Sequence, residues 1–271
     1  MIGFGNSMFL ATHGILARSA SGGGVDADAQ AFITAASITD PTQQSAINQL
    51  VVDLKGYGLW TKIYAAYPIV GGTASSHAVN LKTPGTRNLT FTVGWTHSAN
   101  GMTPNGAAYA NSNFNPVTVG ITKTNFGVSA YSRTNIVQSG CLIGIVSGTS
   151  YIDVRPRLSS TIDFLGCYDD SNALGNYLTD SLGLFTASRS GTTQKFYQGA
   201  TEKSQRTGFA ATADINGNIY IGARNFVGVG IDAYSTKQTA WVAFHEFFDA
   251  TQMNNYNTAI QAYQTTLNRQ V

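Results

Sequence analysis

The sequence predicts a mainly β fold: a sandwich of short strands, with a short helical segment before it and a single helix closing it. Three observations lead there. Apolar residues alternate with polar ones in many short runs, clusters of Gly, Asn and Ser separate those runs, and the last apolar pattern changes from a period of two to spacings of three and four. At 271 residues the chain can hold one sandwich of roughly 200 residues and a small accessory element, but hardly a second full domain.

Residues 1–24 read as a flexible or extended arm, ending in the linker-like composition of Ser19–Gly24. Their one charge is Arg18, and they lack the basic start and continuous apolar core of a secretion signal, so a protein working outside a cell is expected to leave it by lysis. Phe4, Met8, Phe9 and Leu10 are the candidates for anchoring this arm on a partner.

Residues 25–69 read as a small helical segment. Asp40 precedes Pro41 as a capping residue should, Gln43 follows three after the cap, and Ile47, Leu50, Val51 and Leu54 share a face. Gly56 and Gly58 end that helix. Leu59, Ile63 and Tyr67 suggest a second helical piece, stopped before Pro68.

Residues 70–271 read as the sandwich with its closing helix. Leu89, Phe91, Val93 and Trp95 alternate with Thr90, Thr92, Gly94 and Thr96, and further strands are expected over 117–121, 126–132, 141–146, 151–155, 162–168, 182–189 and 195–197. Ile219, Ile221 and Ala223 alternate in another. The run from Trp241 to Phe248 is bulky and apolar on both faces, which implies cover on both sides. Asp249 then caps a helix with Gln252 reaching back, and Met253, Tyr256, Ile260, Tyr263 and Leu267 form its apolar stripe.

The order Ile219-Tyr-Ile-Gly-Ala-Arg-Asn225, an aromatic strand ending in Phe247-Phe248, and a helix ending Leu267-Asn-Arg269 resembles the end of LamG-like (concanavalin A-like) jelly-roll domains of bacteriophage virion proteins. Leu184–Arg189 with Lys195–Gly199 resembles their preceding hairpin. Gly106–Tyr109 with Asn115-Pro116, Gly127–Arg133, and Asp28–Phe32 with Leu59-Trp60 and Gly71-Gly72-Thr73 extend the likeness, as scattered patterns, over about residues 26–269. The resemblance implies a concanavalin A-like jelly roll and a virion setting, with assembly in the host cytoplasm, other virion proteins as partners and a homo-oligomer, such as the trimers common in projecting appendages. It carries no catalytic signature.

Composition narrows the chemistry. Only 11% of residues are charged and the formal net charge is +2, without a Lys/Arg cluster, so nucleic acid and anionic membranes are not expected partners. No apolar run approaches the ~20 residues that span a bilayer. A glycosidase of this fold needs paired carboxylates, yet the only glutamates, Glu202 and Glu246, are far apart in sequence and outside any Glu-x-Asp-x-x-Glu pattern. Asp214-Ile-Asn-Gly-Asn218 and Asp169–Asn172 carry enough oxygens to suggest Ca²⁺, although Asn216-Gly217 also reads as a hairpin turn, and no cofactor is required. His13, His77, His97 and His245 are scattered without a zinc spacing; His245 reads as a core residue, and His97 lies just after a strand. Cys141 and Cys167 read as buried reduced thiols, with a disulfide the alternative.

Tyr109, Asn111, Asn113 and Phe114 combine rings with amides as a glycan contact would. The expectation from sequence is a non-enzymatic virion structural protein, a fibre, spike or decoration subunit attached through its N-terminal region. The alternative is a carbohydrate-binding adhesion module recognising bacterial surface polysaccharide.

Overall fold

The seven residues from Thr239 to His245 organise the molecule. Trp241 and Ala243 face one way, Val242 and Phe244 the other, and all four are fully buried, so the strand needs cover on both sides. The computed structural model describes residues 24–170, 174–175 and 178–271. It provides a second sheet on one side of this strand and helices on the other.

The described elements begin with α1 (Ala27–Ala35), α2 (Pro41–Gly56), β1 (Ile63–Tyr67), α3 (Ala74–Ala78), β2 (Thr90–Phe91), β3 (Trp95–Ser98), β4 (Gly101–Pro104), β5 (Ala110–Asn111) and α4 (Pro116–Val119). There follow β6 (Asn125–Ser132), β7 (Ile143–Ser147), β8 (Ser150–Arg155), β9 (Asp163–Asp169), β10 (Leu174–Gly175), β11 (Gly183–Ser190), β12 (Thr193–Gln198) and β13 (Thr201–Arg206). The last are β14 (Tyr220–Ile221), β15 (Arg224–Phe226), β16 (Gly230–Asp232), β17 (Thr239–His245) and α5 (Ala250–Thr266).

The first sheet runs β13-β12-β11-β6-β17-β4-β3, and β1 also pairs with β17, antiparallel from Tyr67 opposite Val242 to Ile63 opposite His245. The second runs β10-β9-β8-β7-β14-β5-β2, with β15 lying parallel to β7 and carrying β16 on its other side. Phe126, Val128, Phe185 and Phe244 of the first sheet meet Ile143, Ile145, Ile152 and Val154 of the second, and Tyr67 and Phe114 complete that core. On the outer side of the first sheet, Leu50, Val51 and Leu54 of α2 and Tyr256, Ile260 and Tyr263 of α5 pack with Tyr131, Trp241 and Ala243.

Helices α2 and α5 form where the sequence signals place them. Asp40 accepts from Gln43 N at 2.8 Å and Pro41 occupies the first turn of α2, where its missing N–H costs nothing. At α5, Asp249 accepts from Gln252 N at 2.8 Å while Gln252 Oε1 accepts from Asp249 N at 3.2 Å, which completes a capping box. Met253, Tyr256, Ile260 and Tyr263 are buried, and Leu267 packs against the same cluster.

The architecture is mixed α/β and broadly sandwich- and lectin-like, with a curled sheet and with helices spread along the chain rather than confined to its ends. This corrects the expectation of a mainly β sandwich with helices only before and after it. Residues 63–67, expected to be helical, form β1, because pairing with the second half of β17 satisfies their backbone while Ala66 meets the helical cluster and Ala65 and Tyr67 the intersheet core. Residues 117–121, expected to be a strand, begin inside α4: Asn115 accepts from Val117 N and Thr118 N, and Pro116 again takes the first turn. The expected strand from Leu89 to Trp95 breaks at Gly94, whose φ of +106° disfavours any side chain, and Val93 is 98% exposed there. Asn216-Gly217 joins no two described strands as a tight hairpin, since only bends and coil separate β13 from β14. Among the described residues no helix is long and apolar enough to cross a membrane.

Candidate functional site

No described residue of the second sheet joins the helical cluster, so its outer face lies away from α1, α2 and α5. Alternation decides what it carries. In β8, Ile152 and Val154 point into the intersheet core, which puts Tyr151, Asp153 and Arg155 on the opposite face, where Asp153 and Arg155 are nonetheless buried. Register then defines one row on that face: Thr90 opposite Asn111, Asn111 opposite Tyr220, Tyr220 opposite Gly144, Gly144 opposite Asp153, and Asp153 opposite Gly166. Arg224 of β15 also stands opposite Gly144, with Asp232 of β16 beside it.

Gly144 permits the centre of this arrangement. A Cβ there would lie 2.5 Å from Cys141 Sγ and 2.9 Å from Arg224 Cβ. Without it, the Cys141 thiol donates to Asp153 Oδ1 at 2.5 Å, Arg155 donates from Nε to both carboxylate oxygens at 3.0 and 2.9 Å, and Arg224 Nη1 reaches Asp153 Oδ2 at 3.4 Å. Burial, and then the Asp153 charge, pushes the Cys141 thiol well above its usual range, so it stays protonated. Arg224 holds Asp232 with two further bonds, Nε to Oδ1 at 2.8 Å and Nη2 to Oδ2 at 2.5 Å, and the hydrogen bond from Arg224 keeps the Asp232 carboxyl below the ordinary range. Asp232 is the exposed member, its side chain 45% accessible.

Rings flank these charges. The Arg224 guanidinium lies 5.7 Å from the Tyr151 ring and 5.9 Å from that of Phe226, and Arg155 lies 5.6 Å from Phe164. Farther along the row Tyr109 and Tyr220 stack at 4.5 Å with an interplanar angle of 16°. Both are half-buried, and burial raises the Tyr220 phenol, so it remains a neutral hydrogen-bonding group. Stacked rings beside amides and charged forks suit a ligand with apolar C–H faces and many hydroxyls.

The sequence-selected residues separate. Tyr109 and Asn111 reach this outer face. Asn113, at φ +52°, donates to Asn88 O at 2.7 Å and Thr90 Oγ1 at 3.0 Å and so fixes the loop. Phe114 is fully buried, 4.7 Å from Phe244, and presents no ring to a surface ligand. Phe4, Met8, Phe9 and Leu10 lie outside the described residues. Sequence reading missed Tyr151, Tyr220, Arg224 and Asp232. The alternation of Tyr151-Ile-Asp-Val-Arg155 was a usable signal for three outward residues, but the pairing of β15 with β7 crosses about eighty positions of sequence, and no local pattern announces it.

Other candidates resolve into structure. Glu246 pairs with Lys62 at 3.5 Å and Glu202 with Lys195 at 2.7 Å, in separate places. Of the calcium candidates, Asp214 faces Lys123 at 3.5 Å, Asn216 accepts from Asn115 at 2.8 Å, and Asp169 and Asp170 both hold Arg206, while Ser171 and Asn172 lie outside the described residues. Cys141 and Cys167 are buried and unbonded to each other. His245 is buried between Ser129, 2.7 Å from Nε2, and the Phe248 ring at 4.2 Å; burial lowers it to about 4. Among the described residues no group of three or more His, Cys, Asp or Glu is placed to hold a metal ion.

No protein-family model matches the chain, and neither does any curated protein. Solved structures do. Domain 4 of AbnA, an extracellular GH43 arabinanase from Geobacillus stearothermophilus solved in complex with arabinotriose, matches with a TM-score of 0.54 at 13% identity, over 72% of this chain and 98% of that one. Trypanosoma rangeli sialidase, with 2,3-difluorosialic acid, follows at 0.47 and 11%, over 79% of this chain and 38% of that one. The binding domain of botulinum neurotoxin serotype D gives 0.45 and 12%, over 73% and 52%. At these identities the likeness is one of fold.

Two expectations are corrected by these matches. The resemblance to phage LamG-like virion domains, and with it the virion structural role, gives way to a fold found in a sugar-cleaving enzyme's domain. The exclusion of an enzyme is withdrawn on the same ground, because a fold carried by an arabinanase does not exclude catalysis.

Proposed function

We propose that this protein is a carbohydrate-binding module of concanavalin A-like jelly-roll type that adheres to bacterial surface glycans, with its site on the outer face of the second sheet. The supporting observation is the single row that brings the Tyr109–Tyr220 stack, Asn111 and the Arg224–Asp232 pair to one sheet face. A pyranose ring lays its C–H face on an aromatic ring, and paired amide and guanidinium groups select among its hydroxyls. Domain 4 of the arabinanase, solved with an arabinose trimer, lends support at the level of fold.

A glycan array probed with the full chain tests this reading. Retention on a defined class of glycans is expected, weakened about three- to tenfold by Tyr109→Ala or Tyr220→Ala, the loss expected of one aromatic contact. Failure to retain any glycan, or retention indifferent to both substitutions, would overturn it. New reducing ends on incubation with a retained glycan would add cleavage to binding.

A further inference from the structure

Four rings meet where the chain crosses from the second sheet to the first. Phe91 of β2 lies 4.7 Å from His97 and 5.5 Å from Trp95, both on β3, and His77 of α3 lies 5.0 Å from His97. The two imidazoles face each other through Nδ1 atoms 2.9 Å apart. His77 is fully buried, its Nε2 has no partner among the described residues, and His97 is half-exposed and so gives access from solvent. Capping positions α3: Thr73 accepts from Ser76 N and Ser76 Oγ accepts from Thr73 N, both at 3.2 Å, which aims the next residue, His77, at β3.

We propose that His77 and His97 together bind one divalent transition-metal ion through their Nδ1 atoms, with Cu²⁺ or Ni²⁺ fitting best. Two nitrogens each about 2.0–2.1 Å from an ion stand about 2.9 Å apart at a right angle and about 3.3 Å apart at the tetrahedral angle. The observed 2.9 Å is the length of the N–H···N hydrogen bond that joins the two rings, and it already matches the separation that a right-angled square-planar or octahedral ion requires. Water entering past half-exposed His97 would supply the remaining ligands. Burial keeps both rings neutral, His77 down to about 3 and His97 also below its usual value, with the nearby Arg269 charge adding to the effect at His77. The neutral pair holds one proton between its Nδ1 atoms; on binding, that proton moves to Nε2 of the same ring, so none is released.

The test is a titration of the full chain with CuCl₂ and NiCl₂, read by calorimetry and, for Cu²⁺, by electron paramagnetic resonance. One equivalent is expected, with hyperfine splitting from two imidazole nitrogens and heats independent of the buffer's ionisation enthalpy. His97→Ala should weaken it at least about tenfold, a loss that even outer partners of a metal ligand can cause. His13→Ala, which removes a histidine outside the described residues, should leave it unchanged. If His97→Ala lowers the melting temperature, His97→Gln, which can still hydrogen-bond to His77, takes its place. No binding, or equal binding by the His97 variants, overturns the proposal.

Discussion

The indole N–H of Trp241 donates to the phenol of Tyr256 at 2.7 Å, joining β17 to α5 inside a contact that excludes water from both. The hydrogen bond satisfies two buried polar atoms, either of which would cost about 1–3 kcal/mol if left unpaired. Tyr256→Phe leaves the indole without an acceptor and should lower unfolding free energy by that amount in urea titration. An unchanged midpoint would mean that the N–H finds another acceptor.

The apolar stripe of α5 makes a sharper contrast. Ile260 is fully buried, so Ile260→Asp places a charge where no partner waits and should remove several kcal/mol, much of a domain's stability. Gln261, one position round, is half-exposed and its side-chain amide accepts from Tyr131 Oη at 3.3 Å, so Gln261→Asp should cost less than about 1 kcal/mol. Equal melts for the two variants would remove the stripe from the account of the core.

Arg269 ties the end of α5 to the sandwich without any carboxylate. Its fully buried guanidinium donates to Pro68 O at 2.8 Å, Ile69 O at 2.6 Å, Ala240 O at 3.1 Å and Gln264 Oε1 at 2.6 Å. Lys has neither the planar fork nor the number of donors in fixed directions. Arg269→Lys should therefore cost about 3 kcal/mol or more, as two or more carbonyls lose their partner. A melt within 1 °C of the parent would show that the ammonium replaces the fork.

Sequence made α2, α5 and β17 legible because their information is local: a capping residue, a periodic stripe, a run apolar on both faces. It failed at residues 63–67, where Leu59, Ile63 and Tyr67 repeat every four but pairing with β17 decides the backbone. At the candidate site it selected Tyr109 and Asn111, which share the outer face, together with Phe114, which is buried, since a ring that stacks on a ligand and one that fills a core look the same in sequence. Arg269 and Arg189 were invisible as buried residues: each is satisfied mainly by backbone carbonyls, which no side-chain pattern records.

Acid should unfold this protein partly through its buried histidines. Burial lowers His245 from 6.5 to about 4, which corresponds to roughly 3 kcal/mol between folded and unfolded states. The unfolded chain takes up this proton first, so the stability is intact above about pH 6.5 and is lost as pH falls from there towards 4. His77, lowered to about 3, acts in the same direction and over a wider range. Urea midpoints measured between pH 7 and pH 4.5 should fall steadily, and His245→Gln should flatten the slope. A slope unaltered by that substitution would assign the proton uptake to other groups.

Gly144 tests whether the centre of the outer face depends on the absence of one methyl group. Gly144→Ala would put its Cβ at 2.5 Å from Cys141 Sγ and 3.1 Å from Arg224 Cα, far inside ordinary contact. Overpacking of this kind costs about 1–3 kcal/mol. Cys141→Ala removes the nearer obstacle but leaves the β15 backbone in place, and it also takes a donor from Asp153. The double variant should therefore recover only part of the loss in a thermal melt, its destabilisation being smaller than the sum of the two single losses. Strict additivity would show that the Gly144 backbone shifts away from Cys141 altogether, and the link from β7 to the Asp153–Arg224 pair would then have to be sought in strand register alone.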